Sequence, residues 1–242
     1  MRLVLSEVGA RLSDVFGADN ILWVEGRTEE ICFPIILSKV AKKPLLGTAV
    51  LGVLQTGDFE GSDSERILRV YKKLSEGGAV LPPSIGFIFD REGRADREIE
   101  DITREGKGKV YFLNRRMYEN YILNPSAIAE EMSSIEGFRE TPVTAEEIEK
   151  WFQDHRWGNE YFCSPLKEKD KTDEVWLKFV HGAKMLESLF KQFSDNRVAY
   201  RKVEHGVALT KWIAENNPEN IAEIANLLKT VLGKSSEAEK IK

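Results

Sequence analysis

Two apolar strands that each run straight into carboxylates constrain this chain more than any other feature. Ile21-Leu22-Trp23-Val24 stops at Glu25-Gly26-Arg27-Thr28-Glu29, and Ile85-Gly86-Phe87-Ile88-Phe89 stops at Asp90-Arg91-Glu92-Gly93. Short apolar runs without polar alternation suit strands buried on both faces, as in a parallel sheet covered by helices. In an open α/β sheet the carboxyl ends of neighbouring strands border one crevice. Acids placed there converge although they lie about sixty residues apart in sequence.

The remaining pattern fits that architecture. Leu3, Leu5, Val8, Leu12, Val15 and Phe16 have the spacing of an amphipathic lead-in helix, closed by Gly17-Ala18-Asp19-Asn20. After the first strand, Thr28 is a possible helix cap, with Glu29 and Glu30 in the first turn and Pro34 expected to kink or shorten the helix. Ala49–Gln55 reads as a second strand, Gly57-Asp58-Phe59 as a turn and Ser64–Leu74 as a helix. Gly77-Gly78 and Pro82-Pro83 break the chain before the third strand. Ala95–Arg104 reads as a charged helix and Val110–Leu113 as a fourth strand. Alternating strands and helices predict parallel strands joined by right-handed crossovers, an α/β sandwich over residues 20–123.

Beyond Asn124-Pro125 the patterns are helical: Ala127–Met132, Ala145–His155, Val175–Phe193, Gly206–Asn216 and Pro218–Leu232. The last has Asn217 as cap, Pro218 at its first position and Gly233 past its end. The expected division is a lead-in over 1–19, an α/β core over 20–124, a helical region over 125–234 and a frayed tail over 235–242.

Composition narrows the chemistry. Over 242 residues, 42% hydrophobic and 31% charged is ordinary for a globular chain with a real core. No apolar run is long enough to span a bilayer, and the N-terminus lacks the apolar core of a signal peptide, so the cytoplasm is the expected location and no membrane partner is expected. Cys32 and Cys163 are far apart, and His155, His181 and His205 are scattered, unlike zinc ligands. A metal here should be a hard cation held by oxygen. A net charge of −5 suits a free-standing DNA binder poorly. An acidic pocket would itself depress the total, however, and Arg115-Arg116 and Arg201-Lys202 supply local basic clusters.

The acids then group into three segments. Gly26 permits a tight turn close to a ligand, and Glu29 falls where the first helical turn faces the crevice. In an extended segment Asp90 and Glu92 point the same way and Arg91 elsewhere, with Gly93 turning the chain away. Glu119 follows the fourth strand among aromatic and aliphatic neighbours, where an unpaired carboxylate is costly. Arg115 or Arg116 could neutralise it, or a metal could.

Taken in order, Glu25-Gly-Arg-Thr-Glu29, Phe89-Asp-Arg-Glu-Gly-Arg94 and Arg115-Arg-Met-Tyr-Glu-Asn-Tyr-Ile-Leu123 resemble the Toprim domain of the OLD (overcoming lysogenization defect) nucleases. The gaps between the segments match, and the likeness extends through Trp176–Leu189 and Val198–Leu232, covering nearly the whole chain. The resemblance implies a Toprim-like parallel sheet flanked by helices and followed by a helical C-terminal region. It implies a divalent-metal-dependent endonuclease that nicks or cleaves DNA with two Mg2+ or Mn2+ ions. The metal ligands it implies are Glu25, Glu29, Asp90, Glu92 and Glu119. Lys202, in Tyr200-Arg201-Lys202, matches the stretch where the family carries a basic catalytic residue; it equally fits a surface lysine beginning a helix.

Two positions depart from the pattern. Asp90-Arg91-Glu92 stands where Toprim domains usually have Asp-x-Asp, and Met117 stands where some relatives carry a small polar ligand, so one of the two metal sites is expected to be weak. OLD-type proteins also join an ABC-type ATPase to the N-terminal side of the Toprim. The sequence has no Gly-x4-Gly-Lys-Ser/Thr loop, and Glu7–Asn20 resembles the exit from such an ATPase. An ATPase in the same parent protein or in trans is therefore the expected partner. A homodimer is a further expectation, since cutting both strands needs two sites. The competing reading is a catalytically weak Toprim module acting with that ATPase. A phosphoacceptor domain using Asp90 as nucleophile fits less well, because Glu92 and Arg94 stand where that chemistry wants an aspartate and a hydroxyl.

Overall fold

Strand β1, Asn20–Val24, is the centre of the sheet, and Ile21 through Val24 are at most 1% exposed. The structure is a computed structural model and describes residues 18–52, 84–162 and 171–239, with side chains through 233. The strand calls on 53–55, the Gly57 turn, the Ser64–Leu74 helix and the lead-in helix lie outside those residues. Two compact units emerge: Met1–Leu113 with Ala222–Lys242, and Asn114–Ile221.

In the first unit β1 is followed by α1, Arg27–Lys39, and β2, Thr48–Gly52. Then come β3, Ser84–Phe89, α2, Asp96–Glu105, and β4, Val110–Phe112. The described strands form a four-stranded sheet in the order β2-β1-β3-β4, with every pairing parallel. This is the α/β architecture that the two apolar strands imply. Trp23, Phe87 and Phe89 stack along one face, with ring centroids 6.4 and 6.5 Å apart.

Helix α1 buries Thr28, Glu29, Cys32, Phe33, Ile36 and Leu37, one stripe at helical spacing. Its start differs from expectation. Gly26, not Thr28, occupies the cap position, and Thr28 is buried inside the first turn. Pro34 neither ends the helix nor shortens it. It removes one N–H donor, and the buried stripe on either side carries the helix on to Lys39.

The last helix, α8 (Ala222–Glu239), returns to the sheet and packs on α1 and β3. Residues 125–234 are thus divided between two units, and the break in the chain falls at Leu113/Asn114. Pro218–Ile221 forms a separate 3₁₀ turn, and Asn217 donates its side-chain amide to Glu219 at 3.2 Å. Gly233 does not stop the helix, because an interior glycine costs only about 1 kcal/mol relative to alanine and the following Lys, Glu and Ala residues favour helix.

The second unit holds a 3₁₀ turn at Tyr118–Tyr121 and five helices among the described residues. These are α3 (Pro125–Ser134), α4 (Ala145–His155), α5 (Asp173–Phe179), α6 (Gly182–Phe193) and α7 (Lys202–Asn216). Thr144 caps α4 with a full capping box to Glu147, as its sequence invites. Val175–Phe193 is two helices, not one. His181 takes a non-helical conformation between α5 and α6 and caps the second. No helix among the described residues is long and apolar enough to cross a membrane.

Where α8 crosses β3 the fit depends on a missing side chain. A Cβ on Gly86 would sit 2.7 Å from Cγ1 of Val231 and 3.3 Å from the Tyr111 ring. Gly86→Ala is expected to cost about 1–3 kcal/mol by overpacking. Val231→Ala in the same chain should recover part of that loss, as measured by urea unfolding of both single variants and the double.

Candidate functional site

The parallel register places Val24 level with Gly52 on one side and Ile88 on the other, so β3 ends one residue beyond β1. Glu25 and Asp90 are the first residues past those ends. The Asp90 N–H donates to Oε2 of Glu25 at 2.8 Å, tying the two strand ends across the crevice. Carboxylate oxygens of Glu25, Asp90 and Glu92 lie within 4.8 Å of one another, and all three residues are half-buried. Three hard oxygen donors at that spacing can hold a divalent cation.

Glu92 reaches the group by a different route from strand alternation. Its φ is +53°, in the left-handed region, so the chain turns sharply after Arg91 instead of remaining extended. Gly93, which could take such a backbone without strain, is not the residue that does. Two buried arginines brace this turn. Arg91 donates to the Arg94 carbonyl at 3.2 Å and pairs with Asp96. Arg94 donates to the carbonyls of Asp90 at 3.2 Å and Arg91 at 3.3 Å, and its guanidinium lies 5.7 Å from the Phe112 ring centre. The surrounding loop therefore holds a left-handed glutamate in place at some energetic cost.

The remaining acids of the first motif have separate places. Glu29 is 9% exposed and is not one of the three clustered acids; its Oε2 would stand 3.0 Å from a Cβ on Gly26. Gly26 itself is extended, at φ −138°, so its value is room for that carboxylate and not a tight turn. Glu30 accepts the Gly52 N–H at 2.9 Å and pairs with Arg27, which fastens the start of α1 to the end of β2. A Cβ on Gly52 would be 2.8 Å from the Gly26 carbonyl oxygen, so the two glycines permit that close approach.

Glu119 and Lys202 both belong to the second unit. Glu119 is 4% exposed in the 3₁₀ turn, and the Lys202 ammonium lies 3.5 Å from its Oε1. Arg115 is engaged elsewhere, donating to the Asn120 carbonyl at 2.9 Å and lying 4.4 Å from the Tyr121 ring centre. Lys202 is the first residue of α7. Below it, His205 stacks on Phe190 with centroids 4.6 Å apart, and its Nδ1 accepts the Arg201 N–H at 2.9 Å. Burial lowers the pKa of His205. The Met117 side chain is 5% exposed, and its sulfur accepts the Ala183 N–H at 3.5 Å. At this position a soft acceptor serves a helix start.

His181, a lone histidine in the sequence, gathers charge that its neighbours in the chain do not announce. Its pKa is held down at about 4, first by burial and then by Arg116, Lys184 and Lys202. Nδ1 accepts the Lys184 N–H at 3.3 Å, which caps α6 and leaves the proton of the neutral ring on Nε2.

Two outcomes follow. Glu92→Gly should leave metal-free stability unchanged or higher by about 1 kcal/mol, because glycine takes the left-handed backbone freely. The rise in melting temperature on adding Mn2+ should shrink in the same variant; thermal unfolding in chelator and in Mn2+ checks both. The second concerns acid. The unfolded chain takes up the His181 proton near 6.5 and the folded chain only near 4, so this contribution to stability is intact above 6.5 and declines as pH falls toward 4. His181→Asn, which keeps a capping side chain, should show a smaller loss between pH 7 and 5 in denaturant titrations.

No family model matches the chain, and no curated protein matches it. Among solved structures, the chain is similar to the C-terminal region of the OLD protein of Xanthomonas campestris pv. campestris, at 15% identity and a TM-score of 0.46, over 93% of this chain and 99% of that one.

Proposed function

We propose that the chain is a divalent-metal-dependent endonuclease that hydrolyses phosphodiesters of DNA. The observation that carries this reading is the group formed by Glu25, Asp90 and Glu92, three carboxylates within 4.8 Å past the ends of adjacent parallel strands. Bound Mg2+ or Mn2+ would supply activation of water and neutralisation of charge on a phosphodiester. The chain's own part is to hold the cation and fix its ligands. The Asp90 N–H orients Glu25, and the Arg91–Asp96 and Arg94 contacts lock the turn that presents Glu92. Such support keeps ligand positions from drifting during the reaction.

The ordered motifs add further assignments. Glu29 and Glu119 are proposed as additional ligands for a two-ion centre, and Lys202 as the cation that neutralises charge building on the phosphate. An ABC-type ATPase, in the same parent protein or in trans, is the proposed partner, and a homodimer is the proposed form for cutting both strands. A second reading is favoured by one observation. Glu119 already has Lys202 as a counter-ion and Met117 is engaged at the start of α6, so neither residue depends on a metal. In that reading the chain is a Toprim module of weak or lost catalysis that works through the ATPase.

Plasmid cleavage in Mg2+, Mn2+ or chelator separates the two. The nuclease reading expects metal-dependent nicking or cutting that falls at least about a hundredfold in Glu25→Ala and Asp90→Ala, since loss of a ligand removes the cation's electrostatic role. Folded wild-type protein that leaves DNA intact in every metal would favour the module.

A further inference from the structure

The turn that brings Glu92 into the acidic group disposes its side chains in a way that folding alone does not account for. Arg91 and Arg94, its two longest side chains, are folded inward and are 4% and 5% exposed. Glu92 turns toward the carboxylates of Glu25 and Asp90. Gly93 is exposed, so the outward face of the turn, next to the acids, is bare backbone. The left-handed conformation falls on Glu92, at φ +53°, and Gly93 does not share it. The chain thus accepts strain at a residue with a side chain and places the glycine where no strain has to be relieved.

Crowding does not ask for a glycine at this position either. A Cβ on Gly93 would meet nothing within 4 Å among the described residues, whereas on Gly26, Gly52 and Gly86 it would come within 3.0, 2.8 and 2.7 Å of a neighbour. The Arg94 N–H closes the turn on the Arg91 carbonyl at 3.3 Å, while the Gly93 N–H has no acceptor among the described residues. Glycine gives up more conformational freedom on folding than any other residue, so one that serves neither backbone nor packing weakens the fold. Its remaining use is close approach: a molecule from outside can come up to the main chain and take an unspent amide.

We propose that Gly93 is a substrate-contact residue, where the sugar–phosphate backbone of DNA passes the acidic group. Its N–H donates to a non-bridging phosphate oxygen, and its lack of a side chain leaves room for the strand beside Glu92. Carboxylates repel a phosphodiester, so a donor next to them that adds no bulk favours the approach. The amide is held as firmly as the acids are. Arg91 donates to the Arg94 carbonyl at 3.2 Å, and Arg94 to the carbonyls of Asp90 and Arg91 at 3.2 and 3.3 Å, which fastens the chain on both sides of Gly93. The choice of DNA as the polymer rests on the nuclease reading above.

The test is the anisotropy of a fluorescein-labelled duplex titrated with the full chain in Mn2+ and in chelator. Each sample is checked on a gel for cutting, and thermal unfolding is followed in the same buffers. Gly93→Ala and Gly93→Leu should melt at the wild-type temperature or above, because the position is unstrained and open, and should keep the wild-type rise on adding Mn2+. The Mn2+-dependent affinity for the duplex should fall at least about tenfold in Gly93→Leu, as for loss of one hydrogen bond to a charged group, and less in Gly93→Ala. A Gly93→Leu variant that binds DNA like wild type, or that loses the Mn2+ rise together with the affinity, would overturn the proposal. Wild-type protein that takes up no Mn2+, or takes it up without binding the duplex, would overturn it too. Lost affinity in Gly93→Leu, with a duplex that even wild type leaves uncut, would uphold the contact while removing the nuclease reading. Cutting by Gly93→Leu with wild-type rate and affinity would do the reverse.

Discussion

Everything in the first unit depends on β1 being paired on both sides. A central strand that contributes its N–H and C=O groups to two parallel ladders cannot slide without breaking both, and its side chains are buried on both faces. That fixes Glu25 in height and direction. The neighbouring strand stops level with it, so the Asp90 N–H finds Glu25 directly and the acidic group is set by sheet register before any loop is considered. The braced turn after β3 then brings in Glu92. The acidic group is in this sense an extension of the hydrogen-bond ladder.

The second unit follows a different logic. Its parts are held by side chains reaching backbone across long sequence intervals. Asn120 donates to the carbonyls of Leu177 at 2.8 Å and Val180 at 2.9 Å, and accepts from Gly182. Tyr118 and Thr210 share a buried hydrogen bond of 2.7 Å. Buried polar contacts of this kind are costly to break, because each partner would be left without a substitute. They fix where α5 ends and α6 begins, and tie the middle of α7 to the 3₁₀ turn.

The strands and their acidic ends were legible because burial on both faces leaves an apolar run and because a strand end has to be polar where it meets a crevice. The α/β core, the parallel order and the convergence of Glu25 with Asp90 could be argued on those grounds, whereas Glu92 was expected by strand alternation and comes in through a left-handed turn. Less could be read where the determinant is a partner distant in the chain. Nothing around Gly233 reveals that α8 continues, since its packing is against α1 and β3. Nothing around His181 reveals that it interrupts a helical pattern running from Val175, since the reason is a cap to Lys184 and a frame supplied by Asn120. The left-handed turn at Glu92 was hidden for the same reason: local preference would place it at Gly93, and the arginine braces decide otherwise.

The return of α8 to the sheet has a consequence for how the molecule comes into being. The first unit is written in two pieces, with Asn114–Ile221 inserted between them. During synthesis the strands emerge early, yet the faces of α1 and β3 that α8 covers stay open until the last part of this sequence is made. Those contacts span more than a hundred residues, and bringing such distant segments together delays folding. The intervening unit can fold first and draw the two pieces together, shortening the loop that remains to be closed. A cation centre at the strand ends would then mature late, only after the polypeptide that surrounds it has been completed.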